Sequence, residues 1–349
     1  MIEKNQIRNR QGSLVEASAP VIISASRSTD IPAFFAKWFI NRLSEGYCVW
    51  YNPFNQQPMY ISFANAKVVV FWTKNPKPMI PYLQELDNRG IHYYFQVTLN
   101  DYAKENLEPN VPSLQERVDT FKQLSSLIGH ERVIWRFDPL IITPTTTPRE
   151  LLTRIWNVGN QLKGYTDKLV FSFADVKTYR KVQNNLIKDT SFYSKETIEF
   201  AEPTEGQRME LVSGLCKIRD AWKQLGWNIK LATCAEQFDY EQWGIEHNRC
   251  IDGDLMEHLW ADDKELVYYL RTGELPKPDL FGAIPPIPLS QKNLKDKGQR
   301  KVCGCMISKD IGMYNTCRHL CTYCYANTSR EAVLHNQEKF NDDSESIIC

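Results

Sequence analysis

The sequence predicts an α/β fold, a parallel (β/α) barrel that is TIM-like, complete or partial, with six to eight strands and a cysteine-rich segment at its C-terminal end. Three observations predict it. Short β-branched and aromatic runs alternate with helix-length stretches through most of the 349 residues. The runs are nearly all apolar, as parallel strands buried on both faces should be. Several helical stretches end in glycine, the residue that closes a helix at least cost.

The strand-like runs lie at 21–26 (VIISAS), 68–73 (VVVFWT), 92–98 (HYYFQVT), 132–137 (RVIWRF), 168–173 (KLVFSF) and 228–233 (NIKLAT). A further pair at 47–52 and 59–63 predicts an extra strand or hairpin. Helices are predicted over Pro32 to Ser44, Pro76 to Asn88, Ser113 to Ile128, Thr147 to Lys163 and Glu205 to Leu225, closed by Gly46, Gly90, Gly129, Gly164 and Gly226. No phosphate-binding glycine fingerprint follows any strand, which argues against an open dinucleotide-binding sheet. The organisation reads as an N-terminal extension (1–17), the barrel (18–250), a linker and helical segment rich in proline (251–300), the cysteine-rich segment (301–330) and a tail (331–349) whose last residues, NDDSESIIC, look frayed.

Lysine plus arginine and aspartate plus glutamate both number 42, so no global field draws the chain to nucleic acid or to an anionic membrane. The polar start, MIEKNQIRNRQGSL, lacks the apolar core of a secretory signal, and no apolar run approaches the ~20 residues of a membrane helix. A cytoplasmic protein with no membrane partner is expected. Ten cysteines in a reducing compartment favour metal ligation over disulfides.

The densest signal is Cys317-Arg318-His319-Leu320-Cys321-Thr322-Tyr323-Cys324-Tyr325. Three thiolates spaced CxxxCxxC can hold three irons of a [4Fe-4S] cluster and leave the fourth iron without a protein ligand. Zinc would prefer four ligands in two separated pairs, and His319 inside the triad is awkwardly placed as a ligand, so it is expected to point away or to hydrogen-bond near the cluster, with ligation as the alternative. A second set, Cys234, Cys250, Cys303 and Cys305, suffices for a second [4Fe-4S] cluster or for zinc; independent buried thiols are the bland alternative. Cys48 and Cys216 read as core, and Cys349 as a free thiol in the tail.

In a parallel barrel, active groups sit where strands end at the carboxyl face. Read this way, the candidate catalytic residues are Arg27, Asp30, Lys74, Arg136, Asp138 and Glu236. The guanidinium forks of Arg27 and Arg136 suit a carboxylate or phosphate, Lys74 an anion or a proton, and the carboxylates acid–base work. Each has a plainer alternative at the rim: Asp30 precedes a helix and suits an N-cap, and Asp138 precedes a proline and suits a turn. Trp72 and Trp135, inside strands, read as filling.

The CxxxCxxC triad with Tyr323 before its last cysteine resembles the cluster motif of radical S-adenosylmethionine (SAM) enzymes. The resemblance implies a [4Fe-4S] cluster that binds SAM, whose one-electron cleavage starts radical chemistry, with a flavodoxin or ferredoxin as electron donor. It also makes Tyr323, Tyr325 and Asn327 candidate cofactor contacts. Two features depart from that pattern: the triad lies beyond the last strand instead of after the first, and there is no GGE-like stretch or Gly-Gly pair. Over nearly the whole chain, SASRSTDIPAFF, NPF at 52–54, FWTKNP at 71–76, WRFDP at 135–139, TCAE at 233–236, CID at 250–252 and CGCMISKDIGMYNTCRHLCTYCYAN resemble the bacterial domain of unknown function 1848 family. The expected function is therefore a radical SAM-type enzyme acting on an unidentified substrate, with the second cysteine set relaying electrons. Two alternatives remain open: a non-catalytic protein whose iron–sulfur or zinc centre is structural, and a barrel hydrolase using Asp138 or Glu236 as base.

Overall fold

The computed structural model describes residues 2–348. In chain order the elements are β1 (Glu3–Arg8), β2 (Leu14–Ala19), β3 (Ile22–Ala25), α1 (Ile31–Phe34), α2 (Ala36–Glu45), β4 (Tyr47–Tyr51), β5 (Pro58–Ser62), β6 (Val68–Thr73), α3 (Leu83–Asn88), β7 (His92–Thr98), α4 (Leu114–Ile128) and β8 (Val133–Leu140). There follow α5 (Pro148–Leu162), β9 (Lys168–Phe173), α6 (Arg180–Asp189), α7 (Glu205–Gln224), β10 (Lys230–Thr233), β11 (Ile245–His247), α8 (Gly253–Leu259), α9 (Lys264–Thr272), β12 (Lys309–Asp310) and α10 (Arg330–Lys339).

Eight strands form one parallel sheet in the order β12-β3-β6-β7-β8-β9-β10-β11, with β11 and β12 at its edges. Every ladder in it is parallel, so all carboxyl ends share one side. The six predicted runs are its core strands. The predicted pair at 47–52 and 59–63 is β4 and β5, antiparallel to each other. Residues 1–17 were expected only as an extension; most of them form the β1–β2 hairpin, which adds to β5 in a separate four-stranded sheet.

The pleat sorts the large sheet's side chains into two cores. Ile23, Val69, Phe71, Phe95, Trp135 and Phe171 face one way and pack under the helices. Ile22, Val70, Tyr94, Ile134, Val170 and Ala232 face the other, where Ile251, Met256, Leu266, Leu270 and Met306 cover them. The stretch expected as a linker thus folds back over the second face of the sheet, and its α8 and α9 supply much of that core. Beyond α9 the proline-rich residues do run over the surface, with Leu280, Phe281 and Leu289 almost fully exposed.

Helix starts follow the caps. Ser113 caps α4 and accepts from Glu116 N, while Thr147 caps α5 ahead of Pro148 and accepts from Glu150 N. The helix predicted from Pro76 begins later: a 3-10 turn at Ile80–Tyr82 precedes α3, because Pro76, Pro78 and Pro81 withhold the N–H groups a regular helix needs. The helices α6 and α10 also escaped the sequence pattern, as did the docking of the C-terminal end, which is not frayed. Trp38 Nε1 donates to Ser344 O at 2.8 Å, Val49 N donates to Glu345 O at 2.7 Å, and Ile347 is buried. Cys349 lies outside the described residues.

The contact of α5 with α7 yields a first prediction. Trp156 and Trp222 stack at 5.8 Å, and a Cβ at Gly159 would fall 2.1 Å from the Trp222 ring. Because Trp222 is fully buried and has nowhere to retreat, Gly159→Ala is expected to cost about 1–3 kcal/mol through overpacking. The urea midpoint, at unchanged slope, measures it.

Candidate functional site

The carboxyl side of the parallel sheet gathers the loops after β3, β6, β10, β11 and β12, together with the end of β8. β12 pairs with β3 through Lys309↔Ile23 and Asp310↔Ser24, so the chain beyond it, which carries the triad, leaves beside the loop 26–30. Cys317, Cys321 and Cys324 lie within electrostatic reach of one another, and burial pushes all three thiols up from their ordinary values. Ala326 N donates to Cys324 Sγ at 3.4 Å, and Asn327 Nδ2 donates to Cys317 O at 2.9 Å. Between the first two cysteines Leu320 has φ +54°, a left-handed conformation unusual for leucine, so the turn is held by its surroundings.

Those surroundings are specific. His319 places Nε2 2.8 Å from Asp30 Oδ2 and Nδ1 3.3 Å from Asn110 O, so both ring nitrogens are engaged. Asp30 is wholly committed as well: Oδ1 caps α1 at Ala33 N, and Oδ2 also accepts from Lys74 N at 2.7 Å. It serves as the N-cap and as the anchor of the triad loop. Tyr323 Oη donates to Glu108 and accepts from Lys74 Nζ at 2.9 Å and Asn100 Nδ2 at 3.1 Å. Lys74 pairs with Glu108 at 2.7 Å, and Arg117 stands 3.7 Å from the same carboxylate. Burial alone would raise the Glu108 carboxyl, but Lys74 and Arg117 outweigh it and hold it at about 2. Tyr325 bonds Arg27 O at 3.0 Å and stacks on Tyr179 at 5.5 Å, half open to solvent.

The second cysteine set also converges. Cys234 Sγ lies 3.5 Å from Cys250 Sγ, Cys250 also contacts Cys305, and Cys305 contacts Cys303. Arg136 Nη1 donates to Cys250 Sγ at 3.1 Å and to Gln96 Oε1 at 3.2 Å, while its Nε meets Asp138 Oδ2 at 3.1 Å. Its fork is therefore occupied by protein groups and not free for a substrate anion. Arg27 lies beside Cys305, and both guanidiniums lie within cation–π reach of the Trp72 ring, Arg27 at 5.2 Å and Arg136 at 5.5 Å. Asp138 accepts from Ser172 and Arg136, which hold its carboxyl below the usual value although burial works against its charge. Glu236 accepts from Phe173 N at 2.9 Å, and burial raises its carboxyl. All nine cysteines among the described residues are free thiols; Cys48 is fully buried and Cys216 half-buried. Among the described residues, no three His, Cys, Asp or Glu side chains already form the shell of a single metal ion.

The family described as "Domain of unknown function (DUF1848)" matches residues 22–326, from the first strand of the parallel sheet to the residues just past the triad. The chain belongs to the DUF1848 family. No curated protein and no solved structure matches it.

In this DUF1848 chain, sequence reasoning missed Asn100, Glu108 and Asp310. The first two lie in the long connection after β7, where the two glutamates of NDYAKENLEPN, Glu105 and Glu108, carry no periodic signal. Asp310 accepts from Ser24 Oγ (2.8 Å), Ser26 Oγ (2.7 Å), Ser28 Oγ (3.4 Å), Arg27 N (2.8 Å) and Gly312 N (2.9 Å), and so ties β12 to the end of β3. The serine-rich SASRS was the available clue to a carboxylate partner. A cavity of about 560 Å³ opens at Phe200, Arg208, Phe238 and Tyr240, and none of the residues expected to be catalytic lines it. No helix among the described residues is long and apolar enough to cross a membrane.

Proposed function

We propose that this DUF1848 chain is a radical SAM-type iron–sulfur enzyme on a partial (β/α) barrel. One observation carries the reading: β12 lies in parallel register beside β3 at the sheet edge, so the triad, last in sequence, leaves the end of a strand that is first in spatial order. Such a permuted chain order supports the arrangement in which the triad follows the first strand of a barrel.

The residues fit the group the resemblance implies. The triad offers three sulfurs, Cys321 buried and Cys317 and Cys324 half-buried, and His319 within it is held by Asp30 and Asn110. That set suits a cluster with one iron free of protein ligands better than a closed zinc site. Asn327 Oδ1 and Thr29 Oγ1 are buried without partners; both belong to the triad's surroundings and suit polar groups of SAM where no Gly-Gly pair is present. When bound, cluster and SAM supply the one-electron cleavage that begins radical chemistry, with a flavodoxin or ferredoxin as electron source.

The chain's own residues position and seclude. Lys74, Glu108 and Asn100 fix Tyr323 and with it the spacing of Cys321 and Cys324, while Asp30 fixes His319 and the first turn. Asp138, with its carboxyl held low by Arg136 and Ser172, is poorly suited to be the general base of the hydrolase reading, which then falls to Glu236 alone.

The test is anaerobic reconstitution followed by strong reductant. Wild type is expected to release methionine and 5′-deoxyadenosine, and its reduced-cluster EPR signal to change on adding SAM. The Cys317→Ala, Cys321→Ala, Cys324→Ala triple variant is expected to lose about four irons per chain and all cleavage. Intact iron in the triad with no cleavage and no EPR response to SAM defeats the proposal.

A further inference from the structure

We propose that Cys234, Cys250, Cys303 and Cys305 form a second, separate metal centre of the thiophilic class, with Arg27 and Arg136 as the cations that balance its thiolate charge. The proposal does not depend on the triad.

The chemistry of the donors comes first. Four thiols from three distant stretches of chain meet in a contact string, Cys234–Cys250–Cys305–Cys303, although Cys234 and Cys305 are 71 residues apart in sequence. Uncharged thiols gain little from such a gathering, since S–H is a weak donor and sulfur a weak acceptor. The groups around them are donors aimed at sulfur. Arg136 Nη1 and Asn248 Nδ2 each reach Cys250 Sγ at 3.1 Å, and Ile251 N reaches Cys305 Sγ at 3.4 Å. N–H groups pointed at sulfur are what metal-bound thiolates accept, and such partners tune the metal.

A second observation is the cost of the arrangement. Two guanidiniums lie near the Trp72 ring; Arg136 is almost wholly buried, and Arg27 keeps a buried Nη2 with no partner. Asp138 offsets one of these charges and Asp310 lies near the other, but both cations also face the sulfurs. Buried cations gathered on neutral thiols are a liability; on two or more thiolates they are partners. The backbone is specialised to match. Tyr94 Oη at 2.6 Å and Gln96 Nε2 at 3.1 Å both donate to Cys250 O and hold that residue against the inner face of the sheet.

The sulfurs as they stand form an open string and not the closed shell of one ion. Zinc would need them drawn into a tetrahedron, whereas an iron–sulfur cluster would spread them apart; both are four-thiolate chemistry. With all four ligands supplied by protein, the centre leaves no open position, which suits structure or electron relay and not substrate activation.

The experiment uses the triad triple-alanine variant, purified without oxygen, so that failure of the triad reading cannot affect it. Expected are either one zinc or iron with matching sulfide per chain, and X-ray absorption with four sulfur neighbours at about 2.3 Å. Zinc against iron decides the metal, and both outcomes support the site. A metal-free protein whose four thiols all react with a thiol reagent after denaturation overturns it, as does a shell with two or fewer sulfurs. Arg136→Gln in the same background should keep the metal but weaken it 10- to 100-fold in chelator competition. An unchanged affinity would remove Arg136 from the proposal.

Discussion

Replacing Asp310 with alanine is expected to destabilise the protein by about 3–5 kcal/mol and to release the triad loop from the sheet. β12 is two residues long and pairs with β3 over Ile23 and Ser24 alone, so its ladder is too short to hold the edge by itself. The Asp310 carboxylate supplies the rest, taking three serine hydroxyls and two backbone N–H groups. Hydrogen bonds to a charged acceptor contribute about 1.5–3 kcal/mol each, and the two backbone donors have no obvious substitute once it is gone. Gly312 points to the same close fit, because a Cβ there would fall 1.8 Å from Ser26 Oγ. Limited proteolysis should show new cleavage between about residues 306 and 330 in Asp310→Ala while the fragment carrying the rest of the parallel sheet survives. Asp310→Asn, which keeps the acceptor and loses the charge, should be intermediate. If Asp310→Ala matches wild type in urea midpoint and protease pattern, β12 is held by something else.

This same carboxylate explains what the sequence could and could not reveal. The six core strands were legible because burial on both faces leaves unbroken apolar runs, and α4, α5 and α7 because capping residues and terminal glycines mark their ends. β12 was not legible: two residues, KD, have no pattern, and their strand character comes from β3. The covering of the sheet's second face was equally hidden, because a mixed charged and apolar segment such as Ile251 to Leu270 reads the same whether it lies on a surface or on a sheet. The cysteines were visible as chemistry, since spacing alone makes CxxxCxxC stand out. Their supports were not. Arg27 and Arg136 looked like substrate clamps at the ends of strands; only three dimensions show their forks turned toward Cys305 and Cys250, with Asp138 filling one of them. Asp30 had an N-cap as its plainer reading, and it is one, with the anchoring of His319 added.

Glu108 carries the other large effect. It sits almost fully buried where Lys74, Tyr323 and Asn100 all bond to it and Arg117 stands close, so its single negative charge serves two cations. Glu108→Gln removes that charge and leaves Lys74 and Arg117 uncompensated in the interior, a change that costs about 3–5 kcal/mol. Lys74 feels the loss directly, since burial disfavours its charge and Glu108 is what raises its pKa. The sign with pH follows from the depressed carboxyl. Its value is about 2 in the folded protein against an unfolded value near ~4.3, so the unfolded chain binds the proton first. The contribution, about 3 kcal/mol, is complete above the unfolded value and disappears as pH falls from about 5 toward 2. Wild type should therefore lose urea stability steeply across that window, and Glu108→Gln should start lower and lose less. The consequence for the triad is positional: in Glu108→Gln the Tyr323 hydroxyl exchanges a charged acceptor for a neutral amide oxygen, and the tie of the Cys321–Cys324 turn to the loop after β7 weakens. Iron retention after anaerobic reconstitution should fall with stability in Glu108→Gln and recover in Glu108→Asp only as far as the shorter carboxylate still reaches Lys74. A Glu108→Gln protein with the wild-type acid profile would show that the cation pair is balanced by another group.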